Sequence, residues 1–193
     1  AEIKNPKLAP DFSLKRLLAL SLALKAIPSD KYSEKQYKDF FKKYDSEVVY
    51  SEPSGEWYVR SVKFWDLRKK YATLPIAEEI AWAATQNPLP GECEGYINCY
   101  LFAMRETDAR YLEFYPSGKY SLEALKNLQN LLEPMLADVA EKQVYNGPTD
   151  VSDRAEFNRM IAEIRTIVSK LTLAEYEKQK MIQQLNQLAE GFR

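Results

Sequence analysis

Histidine is missing from all 193 residues. That removes the commonest general base, the Ser-His-Asp and Cys-His arrangements, and nearly all zinc chemistry. Any catalysis would have to run on carboxylates, tyrosine, lysine or the two thiols, and no metal site and no cofactor is expected. Basic clusters are missing as well. The net charge is −1, and no Lys/Arg run exceeds two or three neighbours. A nucleic-acid surface needs a concentrated basic stripe to release counterions, so no nucleic-acid partner is expected. Long apolar runs are the third absence. Nothing reaches the ~20 residues of a membrane span, so no integral membrane span is expected.

The nearest approach is KRLLALSLALKA, residues 15–26. It imitates a signal peptide, with a positive flank and an apolar stretch. Ser21 interrupts it, Lys25 closes it, and polar-rich residues precede it, so it reads as a core helix. The chain starts at Ala1 rather than Met, as either a cleaved leader or an arbitrary boundary would leave it.

What is present is helical spacing, in a chain long enough to bury a core as one domain. A first helix is expected over Phe12–Ala26, with leucines around most of its circumference and hence central to the core. A second opens at Ser33, with Gln36 three residues on in the capping-box arrangement. It carries Tyr37, Phe40, Phe41 and Tyr44 on one face. DSEVVYSEPSGEWYVRSVKFWDLRKKY, residues 45–71, admits two readings. One is a hairpin of Glu47–Tyr50 and Glu56–Ser61 around Pro53-Ser54-Gly55. The other is a helix from Gly55 to Tyr71, which the unbroken spacing favours.

Pro75 suits the first turn of a further helix, and the Asn87–Gly91 stretch breaks the chain. One long helix is expected over Gly95–Phe114. Ser121 can cap the next, whose Leu125, Leu128, Leu132, Met135 and Val139 form a stripe and which Pro134 should kink near Asn130. Asn146-Gly147-Pro148 makes a turn, with a possible subdivision near 146–150. Helices over Ser152–Lys170 and from Thr172 follow, the latter opened by TLAE as a second capping box. The fold class is all-α: seven or eight helices in an array of helical hairpins, with at most one short β-hairpin.

A shift of 44 residues lays YATLPIAEEIAWAA (71–84) over YPSGKYSLEALKNL (115–128), matching Tyr71 to Tyr115 and Glu79 to Glu123. Stacked helix pairs repeat in this manner; two helix–turn–helix joints also look alike for local reasons. Over residues 109–129, Tyr111-Leu112, Tyr115-Pro116, Gly118 and Glu123-Ala124-Leu125 resemble the joint between tetratricopeptide units of bacterial envelope proteins. Pro134 and AEKQVYNG fall where the next unit should begin. The resemblance implies a helical-hairpin stack that binds protein on a concave face.

Cys93 and Cys99 are the only cysteines. Within one regular helix they would lie about 9 Å apart along the axis and about 240° around it, beyond the reach of a bridge. A disulfide requires Cys93 to lie in the non-helical lead-in, which Pro90, Gly91 and Gly95 permit. Two reduced thiols are the alternative. A redox pair is the poorest reading, because the spacing is wrong and Glu92 and Glu94 would raise the thiol pKa. A disulfide favours a periplasmic or secreted protein; two reduced thiols leave it cytoplasmic.

Glu92 and Glu94 are either first-turn acids that complement a helix dipole, or one glycosidase-like acid needing a second carboxylate about 5–9 Å away, for which Asp66 and Glu79 are candidates. Tyr50, Trp57, Tyr58, Phe64, Trp65, Tyr71 and Trp82 form an aromatic cluster, either core or a binding surface. The residues expected to contact a partner are Trp57, Tyr58, Trp65, Glu92, Glu94 and Tyr96. The expectation is a non-catalytic helical scaffold of the cell envelope that binds a protein or peptide. The alternative is a carboxylate-based hydrolase of cell-wall glycan.

Overall fold

The computed structural model describes residues 8–87, 89 and 91–192. Pro88 and Pro90 of the expected chain breaker, and Ala1, lie outside them. The described residues are mostly helical with a single antiparallel hairpin, as the spacing implies. The chain forms two compact units, one ending at Glu92 and the other beginning at Cys93. The division therefore falls at the Pro/Gly stretch and not near 146–150. The reason lies in residues 143–146, which are tied into the second unit: the Asn146 N–H donates to the Gly95 carbonyl (2.8 Å), and the Ile97 N–H donates to the Asn146 carbonyl (3.0 Å).

The first unit starts with α1 (Ala9–Lys25), which has Pro10 in its first turn. Pro is tolerated there because its missing N–H would have no intrahelical partner. Leu14, Leu17, Leu20 and Leu24 are buried at helical spacing, but Leu18 and Leu22 are 39% and 68% exposed. The leucine-rich helix is thus one-sided, not surrounded by core. After a 3₁₀ turn at Ser29–Lys31 comes α2 (Lys35–Lys43). The expected capping box at Ser33 is not formed. Glu34 occupies the cap position in an extended conformation, and Gln36 donates to its carboxylate (3.1 Å).

Residues 45–71 are a hairpin followed by a helix, which corrects the favoured reading of one helix from Gly55. β1 (Val48–Ser51) pairs with β2 (Glu56–Val59), Val48 opposite Val59 and Tyr50 opposite Trp57. Three local features decide it. Pro53 removes a donor from any helix through the turn. Gly55 holds φ +66, which costs a residue with a Cβ. The flanking residues are β-branched or aromatic, the types that pack well on a pleated surface. Helical spacing is real only from Ser61, where α3 (Ser61–Lys70) begins. The Ser61 hydroxyl donates to the Ala84 carbonyl (3.0 Å), tying the start of α3 to the end of α4 (Ile76–Thr85). Phe64 and Trp65 on α3 are core, as are Ile80, Ala81 and Ala84 on α4.

In the second unit the helix expected over 95–114 is two helices, α5 (Ile97–Glu106) and α6 (Asp108–Phe114). The break is at Thr107 (φ −112, ψ −103), outside the helical basin. Its hydroxyl donates to the Ala103 carbonyl (2.7 Å), a local bond that competes with helix propagation. α7 (Ser121–Asp138) runs through Pro134. Ser121 does not cap it but donates to the Tyr115 carbonyl (2.7 Å). α8 (Val151–Ser169) is capped by Asp150, which accepts from the Asp153 N–H (2.9 Å). α9 (Glu175–Gly191) begins later than TLAE suggests, because the Thr172 N–H is engaged by the Pro116 carbonyl (3.0 Å).

The core of this unit mixes aliphatic and aromatic side chains, with Leu101, Leu125, Leu128, Ile164 and Leu185 inaccessible to solvent beside the buried Tyr111 and Phe157. The 44-residue shift superimposes the buried positions of α4 on those of α7: Ala77 on Ser121, Ile80 on Ala124, Ala81 on Leu125, Ala84 on Leu128. Each set faces the preceding helix of its own hairpin, so hairpin packing alone accounts for the shared register.

Candidate functional site

In the first unit a groove of about 440 Å³ runs between one flank of α1, strand β2 and the face of α4. α1 contributes Leu14, Leu18 and Leu22 at a spacing of four residues, which stacks them on one flank. β2 contributes Trp57 and Tyr58, and α4 contributes Trp82 with Ala83 beside it. Ala83 presents a methyl group to the space. The size of the groove is that of a site for a drug-sized ligand or a few side chains, not for a folded domain.

Phe41 holds Trp57 in place. The two rings stack with centroids 4.2 Å apart and planes within 10°, and Tyr50 lies 5.5 Å from the same indole. A rigid aromatic wall loses little conformational entropy on binding, which is why such residues anchor interfaces. Most polar groups on the walls are engaged locally. Ser21 donates to the Leu17 carbonyl (3.2 Å) and Asn87 to the Ala83 carbonyl (2.7 Å). Lys25, in the last turn of α1, makes no hydrogen bond or ion pair among the described residues.

The expected contact residues divide. Trp57 and Tyr58 line the groove together. Trp65 is 5% exposed and belongs to the core, so it is corrected from surface to packing residue. Glu92 is exposed at the end of the first unit. Glu94 and Tyr96 belong to the second unit, where Glu94 is exposed. The Tyr96 hydroxyl accepts from Asn98 Nδ2 (3.2 Å) and bonds to Asp153. Trp82, singled out only as one ring of the aromatic cluster, lines the groove with Glu79. Leu18 and Leu22 were missed as site residues because an apolar residue in a helix reads as core whichever way it faces.

Cys93 and Cys99 are joined in a disulfide, with Cα atoms 5.3 Å apart. The geometry that allows it is a tight turn. Glu94 (φ +45) and Gly95 (φ +80) both adopt left-handed backbone, and the Tyr96 N–H closes the turn on the Cys93 carbonyl (2.7 Å). Cys93 thus lies in the lead-in to α5, as a bridge requires. The turn leans on residues 143–145, whose N–H groups point at one carboxylate. Asp138 accepts from Tyr145 (2.8 Å), Val144 (3.1 Å) and Gln143 (3.1 Å). These bonds, Tyr145's foremost, hold the Asp138 carboxyl below the usual range.

Asp108, the first residue of α6, is the opposite case. Burial pushes its carboxyl up to about 6, against a bond from Asn127 Nδ2 (3.0 Å) that favours the ionised form.

Among the described residues lining the groove, Glu79 is the one carboxylate; two-carboxylate glycoside chemistry needs a second beside it. No group of three or more metal-ligating side chains occurs among the described residues, and no helix among them is long and apolar enough to cross a membrane. No known protein family, curated protein or solved structure matches the chain.

Proposed function

We propose that this is a helical interaction protein of the cell envelope, and that it acts without catalysis by seating a short apolar segment of a protein partner in the α1–β2–α4 groove. The observation that carries the reading is the meeting of Trp57, Tyr58 and Trp82 with the exposed Leu18 and Leu22 around one open space. Apolar side chains left beside solvent and backed by stacked rings favour a ligand that removes them from water, at about 25 cal/mol per Å² of area covered. The Cys93–Cys99 disulfide supports a compartment that is oxidising. The tetratricopeptide-like joint at 109–129, which falls on the α6–α7 hairpin, supports a scaffold role for the second unit.

The test uses an array of synthetic octapeptides carrying two or three Leu, Phe or Met residues, probed with the wild-type protein and with Ala83→Leu. The leucine fills the groove from within and leaves its outer surface alone. Peptides should bind the wild type and lose about tenfold or more on the variant. An array in which no peptide distinguishes the two proteins overturns the groove as the binding site.

A further inference from the structure

The groove has a polarity as well as a shape. Its floor and walls are leucine, alanine and aromatic rings, and its uncompensated charge is a single cation. Lys25 lines the space, is exposed, and has no carboxylate, carbonyl or ring partner among the described residues. The other charged residue on the walls, Glu79, is already engaged within the protein. The polar side chains Ser21 and Asn87 are turned to backbone carbonyls of their own helices.

A ligand entering this space therefore meets mainly apolar surface, the Gln86 amide whose Nε2 donates to Thr85 Oγ1 (2.9 Å), and one ammonium free to form a new bond. The first unit as a whole carries the same sign. The first unit has a small excess of Lys and Arg over Asp and Glu, whereas the second has the reverse. α2 ends in Lys42-Lys43 and α3 in Arg68-Lys69-Lys70.

From this we infer that the partner segment seated in the groove carries a carboxylate side chain next to its apolar residues, paired with Lys25. This rests on the proposed peptide-binding function and specifies the chemistry of its partner. Apolar residues supply affinity by covering Leu18, Leu22 and Trp82, and the acid fixes which way the segment lies. A basic segment would place its ammonium against Lys25 and would be disfavoured by repulsion, one way in which a rim charge confers specificity. Lys25 also complements the dipole at the end of α1. That role needs no ligand, and it leaves the side-chain nitrogen with donors to spare.

The experiment uses matched octapeptide triplets that differ at a single position beside the apolar residues: Asp, Asn or Lys. Binding is read by fluorescence anisotropy to the full-length protein at two salt concentrations. The Asp member should bind about two- to fivefold more tightly than the Asn member, the usual scale of a solvent-exposed ion pair, and the Lys member more weakly than both. In Lys25→Glu the order should invert, so that the Lys peptide leads. Lys25 is exposed, so this variant keeps the fold, and Trp82→Ala should weaken all three peptides alike.

If the triplet members bind equally, or if their order survives in Lys25→Glu, the acidic partner is overturned while groove binding stands. If no triplet shows binding that depends on Trp82, both readings fall together. Dodecanoate is the last arm. If it binds in a Lys25-dependent manner and no peptide does, the occupant is a free fatty acid, and a peptide partner is ruled out.

Discussion

The two units solve the same problem, how to fix a handful of short helices, by different means. In the second, covalent and non-covalent ties fix both loops and helices. A disulfide closes the lead-in to α5, the Asp138 carboxylate gathers three backbone N–H groups, and Arg105 bridges Glu113 (2.8 Å) and Glu163 (3.0 Å). The first unit has no disulfide; the Arg16–Glu47 ion pair ties α1 to the residue before β1, and stacked rings, the two-stranded hairpin and the Ser61–Ala84 bond do the rest. Both units leave apolar side chains exposed, Phe102, Leu131 and Val151 in the second and Phe12, Leu18 and Leu22 along α1, but Leu18 and Leu22 stand with Trp57 and Trp82 around one groove. The difference teaches where to look for function. A unit whose loops are tied down has little left to adapt, whereas one that keeps an apolar groove open has accepted a cost that a ligand can relieve.

The sharpest way to test this contrast is through its two turn glycines. Both Gly55 and Gly95 have positive φ. A Cβ on Gly55 would meet only the Tyr50 hydroxyl, at 3.9 Å, but one on Gly95 would collide with the Val144 carbonyl oxygen. Gly55→Ala should then cost about 1 kcal/mol, the backbone term alone. Gly95→Ala should cost about 3–5 kcal/mol, from strain plus a clash against a backbone that Asp138 holds rigid. Urea titrations of both variants measure this. Equal costs would mean that the loop at 143–145 yields freely and is not tied.

The second prediction concerns the price of burying charge, which the second unit accepts at Asp108. Its folded carboxyl keeps a proton up to about pH 6, while the unfolded chain releases it near the ordinary value of about 4. Between these pH values the folded state holds more protons. Stability attributable to Asp108 is therefore full below about pH 4 and declines as pH rises towards about 6. Asp108→Asn keeps an oxygen for Asn127 to bond and removes the decline, so it should stabilise the protein by on the order of 2–3 kcal/mol at pH 7. At pH 4 it should do almost nothing. The tied carboxylate Asp138 has the opposite sign, supporting the fold above about pH 4 and losing that support as pH falls through its lowered pKa. Comparing wild type and Asp108→Asn at each pH isolates the first group from the second.

How much of this was legible beforehand depends on the range of the interactions. Helix existence is local, and it was read well: buried apolar residues at helical spacing, leucines in α1 and α7 and Phe157, Ile161, Ile164 and Val168 in α8, placed these helices within a few residues. The errors lie where a short-range signal competed with another. Residues 56–61 fit a strand as well as the helical face that the spacing to Tyr71 favours, and Gly55 with Pro53 decided for the hairpin. Thr107 carried a visible breaker signal, a β-branched residue before Asp, but the spacing across it was unbroken. The capping boxes at Ser33 and Thr172 failed because neighbouring groups took the same bonds.

The site was half legible. Trp57 and Tyr58 were selectable as aromatics that a surface might use. Trp65, of the same type, is buried by α3 packing that only the fold reveals. The contribution of Leu18 and Leu22 depends on which flank of α1 the core leaves open. Residue type does not contain that information. Cys93 shows the converse: a spacing argument made the bridge conditional on a non-helical lead-in, and the Glu94–Gly95 turn supplies one.

The smallest of the effects expected in the second unit is the most direct probe of the contrast between units. A disulfide across so short a loop restricts the unfolded chain modestly, and Cys93→Ser/Cys99→Ser should cost about 2 kcal/mol. The cost should appear in one unit. All three tryptophans, Trp57, Trp65 and Trp82, lie in the first unit, so their fluorescence reports on it, while amide exchange at Tyr96, Ile97 and Asn146 reports on the staple. Exchange at those amides should accelerate as the Gly95–Asn146 and Ile97–Asn146 bonds open more often. The urea midpoint seen by tryptophan should hold, and octapeptide binding at the groove should be unchanged. A tryptophan midpoint that falls with the staple would break the contrast, because the groove would then owe its stability to the tied unit and not to its own stacked rings.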